Sequence, residues 1–344
     1  MRYDKSFILF LFSIVLSTGL FAQKRWTLAD DGGIEWIIKD DIPHYDHIEM
    51  SGEQVSYVLR WGVDENRGLY TERSLVFPML RTIPNNTHAS FMHRLATDVP
   101  SLLSVNGLAL QNERVEKVIM NGMVRVISSF SVSHPNIGGA VKTDPKQTIE
   151  MERTFFPSMV NPLVCEKYRL KNISNQEMTV YIPNFSQTIQ SLPEKGKDGS
   201  YVINCSLMGS GTFKLAPHSD ATFYLQFQAH RKNEELLHVD VEKELTRRLD
   251  YISEHIDCSL ILDTPDETIN REFRFAKIRG SESIFRTKGG LMHGPGGESY
   301  YAAIWANDQA EYINPFFPFL GYDKGNESAF NSFNHFPGRG VNEE

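Results

Sequence analysis

Between positions 289 and 322 the chain gathers the residue types that could recognise a sugar. Gly289, Gly290, Gly294, Pro295, Gly296 and Gly297 crowd into one short stretch, a density that predicts a loop rather than a helix or strand. Glu298, Tyr300, Tyr301, Trp305, Asn307 and Asp308 follow. Flat rings stack on the apolar faces of a sugar, and carboxylates take hydrogen bonds from its hydroxyls, so these six are the candidate substrate-binding residues. The same composition also fits a glycine-rich connection leading into a core helix, and both readings stay open at this level.

Cleaving a glycosidic bond needs two carboxylates on opposite sides of it, one protonated and one ionised. Asp308 is a candidate on one side, for positioning rather than proton transfer. Glu298 and Glu311 are the weaker acids nearby, since a lone glutamate beside such a loop is more often solvated or helix-capping. No general acid or base is assigned. Elsewhere, His44 and His47 flank Asp46 without a third ligand in view, which favours surface histidines over a metal, and no cofactor is called for. Gly209-Ser210-Gly211 lacks the strand-turn-helix setting of a nucleophile elbow and reads as a turn.

Composition narrows the partners. The formal net charge is −8, from 35 Lys and Arg against 43 Asp and Glu, with no basic run, which argues against nucleic acid. Cys165, Cys205 and Cys258 have no short paired spacing, so no disulfide framework or Cys-x-x-Cys zinc site is expected. Arg2 and Lys5 precede the almost wholly apolar Phe7–Leu16, and Ala22 offers a cleavage point. Residues 1–22 therefore read as a secretory leader, with a periplasmic or secreted mature chain and no stable membrane span.

Stepping along the chain, residues 23–232 alternate apolar and polar positions in strand after strand. Val55, Tyr57, Leu59 and Trp61 share one face, and Asn121-Gly122 between two apolar runs marks a tight hairpin. The prediction is a large antiparallel β-sandwich. From 233 to 262 the period changes: Leu237, Val241, Leu245, Leu249, Ile252 and Ile256 recur every three or four residues, a linker helix. Over 263–344, Thr264-Pro265-Asp266-Glu267 starts another helix, with Thr264 as cap and Glu267 completing a capping box, running on to Ile284.

This order of parts resembles the bacterial exported six-hairpin glycoside hydrolases. The likeness is carried by Thr264-Pro265-Asp266, Ala276-Lys277-Ile278-Arg279, the Gly-Pro-Gly-Gly loop 294–297, Trp305-Ala306-Asn307-Asp308, and the segments Asp46–Gly52 and Phe77–Thr82. It implies an N-terminal sandwich, a linker helix and the first helices of an incomplete (α/α)6 barrel, acting on oligo- or polysaccharide. Relatives such as glucoamylases carry Trp-x-Arg-Asp where this chain has Trp305, Asn307 and Asp308, so the resemblance implies that Asp308 holds a sugar hydroxyl, while Asn307 in place of Arg leaves the sugar undefined. The rival is a non-catalytic carbohydrate-binding or adhesive sandwich. Because 334–344 has no period, the chain is expected to be cut short or to end in a shifted reading frame. With no acid opposite a base and no closed barrel it is expected to be catalytically silent, with Phe316, Phe317, Phe319, Leu320 and Phe330 left in water and protease trimming it to a point between 230 and 262.

Overall fold

The computed structural model describes residues 25–39, 41–132, 146–298 and 304–335. The predicted leader, Tyr300, Tyr301 and the aperiodic 336–344 lie outside the described residues. Sixteen strands come first: β1 (Thr27–Leu28), β2 (Ile34–Ile37), β3 (His44–Ser51), β4 (Ser56–Val63), β5 (Leu69–Arg81), β6 (Ser90–Leu95), β7 (Ser104–Val105), β8 (Leu108–Met120), β9 (Val124–Val132), β10 (Gln147–Pro157), β11 (Leu163–Asn172), β12 (Met178–Ile182), β13 (Ser186–Gln190), β14 (Tyr201–Met208), β15 (Gly211–Leu215) and β16 (Asp220–Arg231). Strands β3 to β6 form a four-stranded meander. The other twelve join in one antiparallel sheet, ordered β13-β14-β16-β11-β10-β9-β8-β7-β12-β15, with β2 also on β8 and β1 on β2. Edge strand β15 ends at Leu215 and β16, deep in the other half, starts at Asp220. So short a connection requires the sheet to curl toward itself.

The concave face of the curled sheet closes over the meander. Their shared core contains Trp36, Tyr57, Trp61, Phe77, Phe155, Phe223 and Phe227, all essentially solvent-free. Each such side chain contributes roughly 1.5–3 kcal/mol on burial. One ion pair crosses this core: Arg73 of β5 donates through Nε (2.6 Å) and Nη2 (2.9 Å) to Glu166 of β11. Tyr57 (2.8 Å) and Tyr168 (2.6 Å) donate to the same carboxylate. A buried carboxylate needs such saturation to offset its lost hydration, and here it also fixes how the two sheets are aligned.

The second half of the described chain corrects the expected architecture. Strand makes up 45% and helix 22%, with the main sheet a curled half-barrel and a sandwich-like pairing of sheets, and no helical barrel is evident among the described residues. The linker region gives helix α1 (Val241–Asp250), which widens into a π-helical turn over Tyr251–Asp257. Helix α2 (Glu267–Glu282) is capped by Asp266, which accepts from the Thr268 N–H at 2.8 Å, not by Thr264. It stops short of Ile284 because Ile284–Thr287 forms β17, paired with β18 (Gly290–His293). Part of the predicted glycine loop is thus a hairpin: Lys288 and Gly289 make its turn, Gly290 pairs with Thr287, and Ile284 and Phe285 pair with His293 and Met292. A β-branched and aromatic pair favours a strand over a last helical turn. A second π-helical turn (Asp308–Ile313) and helices α3 (Phe317–Leu320) and α4 (Asp323–His335) follow.

These elements have a core of their own: Tyr251, Ile252, Ile256, Ile278, Ile284 and Phe317 are buried together. The aromatic group expected in water divides, with Phe317 and Leu320 buried while Phe319 and Phe330 are 72% and 68% exposed. Strand β17 covers the meander's outer face, where Val76 meets Phe285. That is why Ser74 to Phe77 are buried without alternation: the strand is covered on both faces. No described helix is long and apolar enough to cross a membrane.

Candidate functional site

The site grows from a proline. Pro78 has no N–H for the ladder between β5 and β6, and the register breaks between Phe77 and Arg81. Released from pairing, Pro78 and Met79 turn toward the β17–β18 hairpin and floor a cavity of about 270 Å³ with Phe285 and Met292. Ile304, Thr287 and His293 wall it, and Arg81, Lys197 and Lys288 stand around it.

Each wall is fixed by backbone bonds. The Lys197 N–H donates to Arg81 O at 2.8 Å, and the Tyr201 hydroxyl donates to the same oxygen at 2.6 Å. Thr287 Oγ1 donates to Gly290 O at 2.8 Å and accepts from the Gly289 N–H at 3.1 Å, locking the turn that carries Lys288. The Arg81 guanidinium is engaged by Asn85 Oδ1 (2.6 Å) and Asn86 O (3.1 Å). At the hairpin's end, burial, with Arg279 adding to it, pushes the His293 imidazole down to about 4, so it is neutral at neutral pH. Its Nδ1 is buried with no hydrogen-bond partner.

The sequence-predicted residues fall into three groups. Trp305 (45% exposed), the exposed Asn307 and the half-buried Asp308 sit together where the second π-helical turn begins. Such turns recur at functional sites. Gln309, fully buried, pins them: its N–H donates to Trp305 O at 3.1 Å, and its Nε2 donates to His293 O at 2.6 Å. The aromatic turn is thereby tied to the cavity wall. Glu298 faces elsewhere, clamped on the meander's outer face by Arg60 of β4 (2.7 Å) and Arg94 of β6 (2.8 Å). Burial pushes its carboxyl up, but Ser74, Arg94 and Arg60 together outweigh that and hold it low. Tyr300 and Tyr301 are outside the described residues. Glu311 lies on the same π-helical turn as Asp308, one turn on.

A further carboxylate, unassigned from sequence, meets the loop. Glu49 of β3 accepts from the Gly297 N–H at 3.0 Å and from Arg279. Burial pushes Glu49 up, against the pull of Arg279 and Gly297. Gly296 sits at φ +84°, which favours glycine, and a Cβ there would come within 2.8 Å of the Glu49 carboxylate. Gln309, His293, Lys197 and Lys288 also escaped the sequence reading. Only the adjacency of Pro78 to a long apolar run hinted at a broken ladder. His44 packs edge-on against Trp36 and Trp61 and stands 3.8 Å from Asp46, and among the described residues no three His, Cys, Asp or Glu gather as a metal site.

No protein-family model matches this chain, and no curated protein matches it. Among solved structures it is similar to one described as "Putative kojibiose phosphorylase from human microbiome", over 85% of this chain, at 8% identity and a TM-score of 0.43. The chain spans 47% of that protein's length. A superposition that loose carries no residue roles.

Proposed function

We propose that this protein recognises carbohydrate through the turn Trp305–Asp308 and the cavity beside it. The observation that carries the reading is Trp305, 45% exposed on a turn pinned by a fully buried glutamine, with Asn307 and Asp308 next to it. An indole carried on a fixed backbone turn can stack on the apolar face of a sugar. Recognition, not bond cleavage, is the activity proposed. Both carboxylates that meet the glycine loop among the described residues, Glu49 and Glu298, are already held by arginines, and neither is left to face a bond opposite Asp308. The apolar stretch 7–16 is proposed as an export leader, which would place that carbohydrate outside the cytoplasm.

Calorimetric titration with a panel of oligosaccharides, neutral and acidic, tests this. At least one class should bind, and Trp305→Ala should weaken it about tenfold or more, the loss of roughly 1.4 kcal/mol. The circular dichroism should stay unchanged. Binding by no member of the panel, or equal binding by the variant, rejects the proposal.

A further inference from the structure

The cavity under β5 bears on which saccharide is taken, and this inference rests on the carbohydrate reading above. Among the described residues its lining holds Arg81, Lys197 and Lys288 and no aspartate or glutamate, on a chain whose formal net charge is −8. Among the described residues neither Lys197 nor Lys288 has a carboxylate partner. The three cations come from separate elements: the end of β5, the segment after 193–195, and the hairpin turn. Each long stem can lie along the apolar floor while its head stays in water. The floor is Pro78, Met79, Phe285 and Met292, suited to the apolar face of a ring. His293 presents a buried, unpartnered Nδ1 in the same wall. At about 270 Å³ the space lies just below the usual range of about 300–1,000 Å³ for ligand pockets, so it suits one ring rather than a chain.

We propose that the cavity takes one acidic sugar unit, its anion between Lys197 and Lys288 and its ring on the Pro78–Met292 floor, while Trp305 stacks on the adjoining unit. The anion is a ring carboxylate or a sulfate ester. Both present the same oxygens to an ammonium, and separate arms of the test distinguish them.

The experiment titrates wild-type protein with three probes of equal length: oligogalacturonate, a heparin-derived sulfated oligosaccharide, and uncharged maltohexaose. One acidic probe should bind at least tenfold tighter than maltohexaose, and its affinity should fall as salt rises from 0.05 to about 0.5 M. Lys197→Ala/Lys288→Ala should remove that advantage, bringing the acidic probe's affinity down to that of maltohexaose. Lys197→Arg/Lys288→Arg should restore it, which separates charge recognition from damage to the fold. If maltohexaose binds as tightly as both acidic probes, or the double alanine variant keeps the preference, the acidic-sugar inference falls while the carbohydrate reading survives. If no probe binds and Trp305→Ala changes nothing, both fall together.

Discussion

His293 shows how one side chain can be tuned by place alone. It is neutral because burial and Arg279 hold it down to about 4, whereas the free imidazole titrates near 6.5. Between those values the unfolded chain binds a proton that the folded chain refuses, so stability rises with pH across that window. The contribution is complete above about pH 6.5 and is lost progressively as pH falls toward 4. Its full size is on the order of 3 kcal/mol. Urea unfolding at pH 7 and pH 4.5 should therefore show wild type losing more stability than His293→Gln, by a difference of that order. Parallel losses in the two proteins would mean that the imidazole is solvated in the folded state. The sequence offered no sign of this histidine's role, because Gly290-Leu291-Met292-His293 becomes a buried hairpin arm only when α4 and α2 cover it.

The turn between β8 and β9 is the opposite case, legible from two letters. Asn121-Gly122 between apolar runs predicted a hairpin, and the strands do flank it, from Leu108–Met120 to Val124–Val132. The reason is local: Gly122 sits at φ +70°, where a Cβ is disfavoured. Its second duty was invisible. Arg248, wholly buried on α1, donates to the Gly122 carbonyl through Nε at 3.0 Å and Nη2 at 2.6 Å, and a Cβ there would come within 2.6 Å of Ile252 Cδ1. Gly122→Ala should cost about 1–3 kcal/mol in denaturant midpoint at unchanged m-value, since it adds a left-handed penalty and an overpacked contact. A cost below about 0.5 kcal/mol would show that α1 is free to move off the hairpin. Local chemistry wrote the strands and tight turns into the sequence. The curl of the sheet, the switch from α to π at Tyr251 and the hairpin at Ile284 depend on contacts far apart along the chain, and periodicity does not record those. The capping box failed similarly: Thr264 turns to Asn270, bonding its Oδ1 at 2.9 Å, and leaves the cap to Asp266.

What joins the second core to the sheets is a small set of charged contacts reaching back to one corner of the meander. Glu53, in the turn between β3 and β4, is buried and accepts from Arg286 of β17, through Nε at 2.9 Å, and from Lys324 of α4. Its backbone is tied as well: its N–H donates to Met159 O at 3.0 Å, and its carbonyl accepts from the Arg286 N–H at 2.8 Å. Glu49 holds Arg279, which also bonds Glu282 at 3.2 Å, and Glu282 in turn pairs with the buried Arg248 at 2.5 Å. The expectation that protease would trim the chain just after the sheets took the following residues for unsupported helices. They instead share a core and these anchors, so residues 267–298 and 304–335 should resist trypsin about as well as the sheets do. Glu53→Ala leaves Arg286 and Lys324 without a counter-charge at the same corner and opens a void between turn and hairpin. Limited proteolysis of that variant should cut within 267–335 at least tenfold faster than in wild type, while a fragment starting near residue 25 and ending after Arg231 persists and keeps its β signal. Uniform sensitisation across both halves would show that Glu53 supports the meander itself. Unchanged kinetics would show that the apolar contact of Phe285 with Val76 is enough to keep the second core docked.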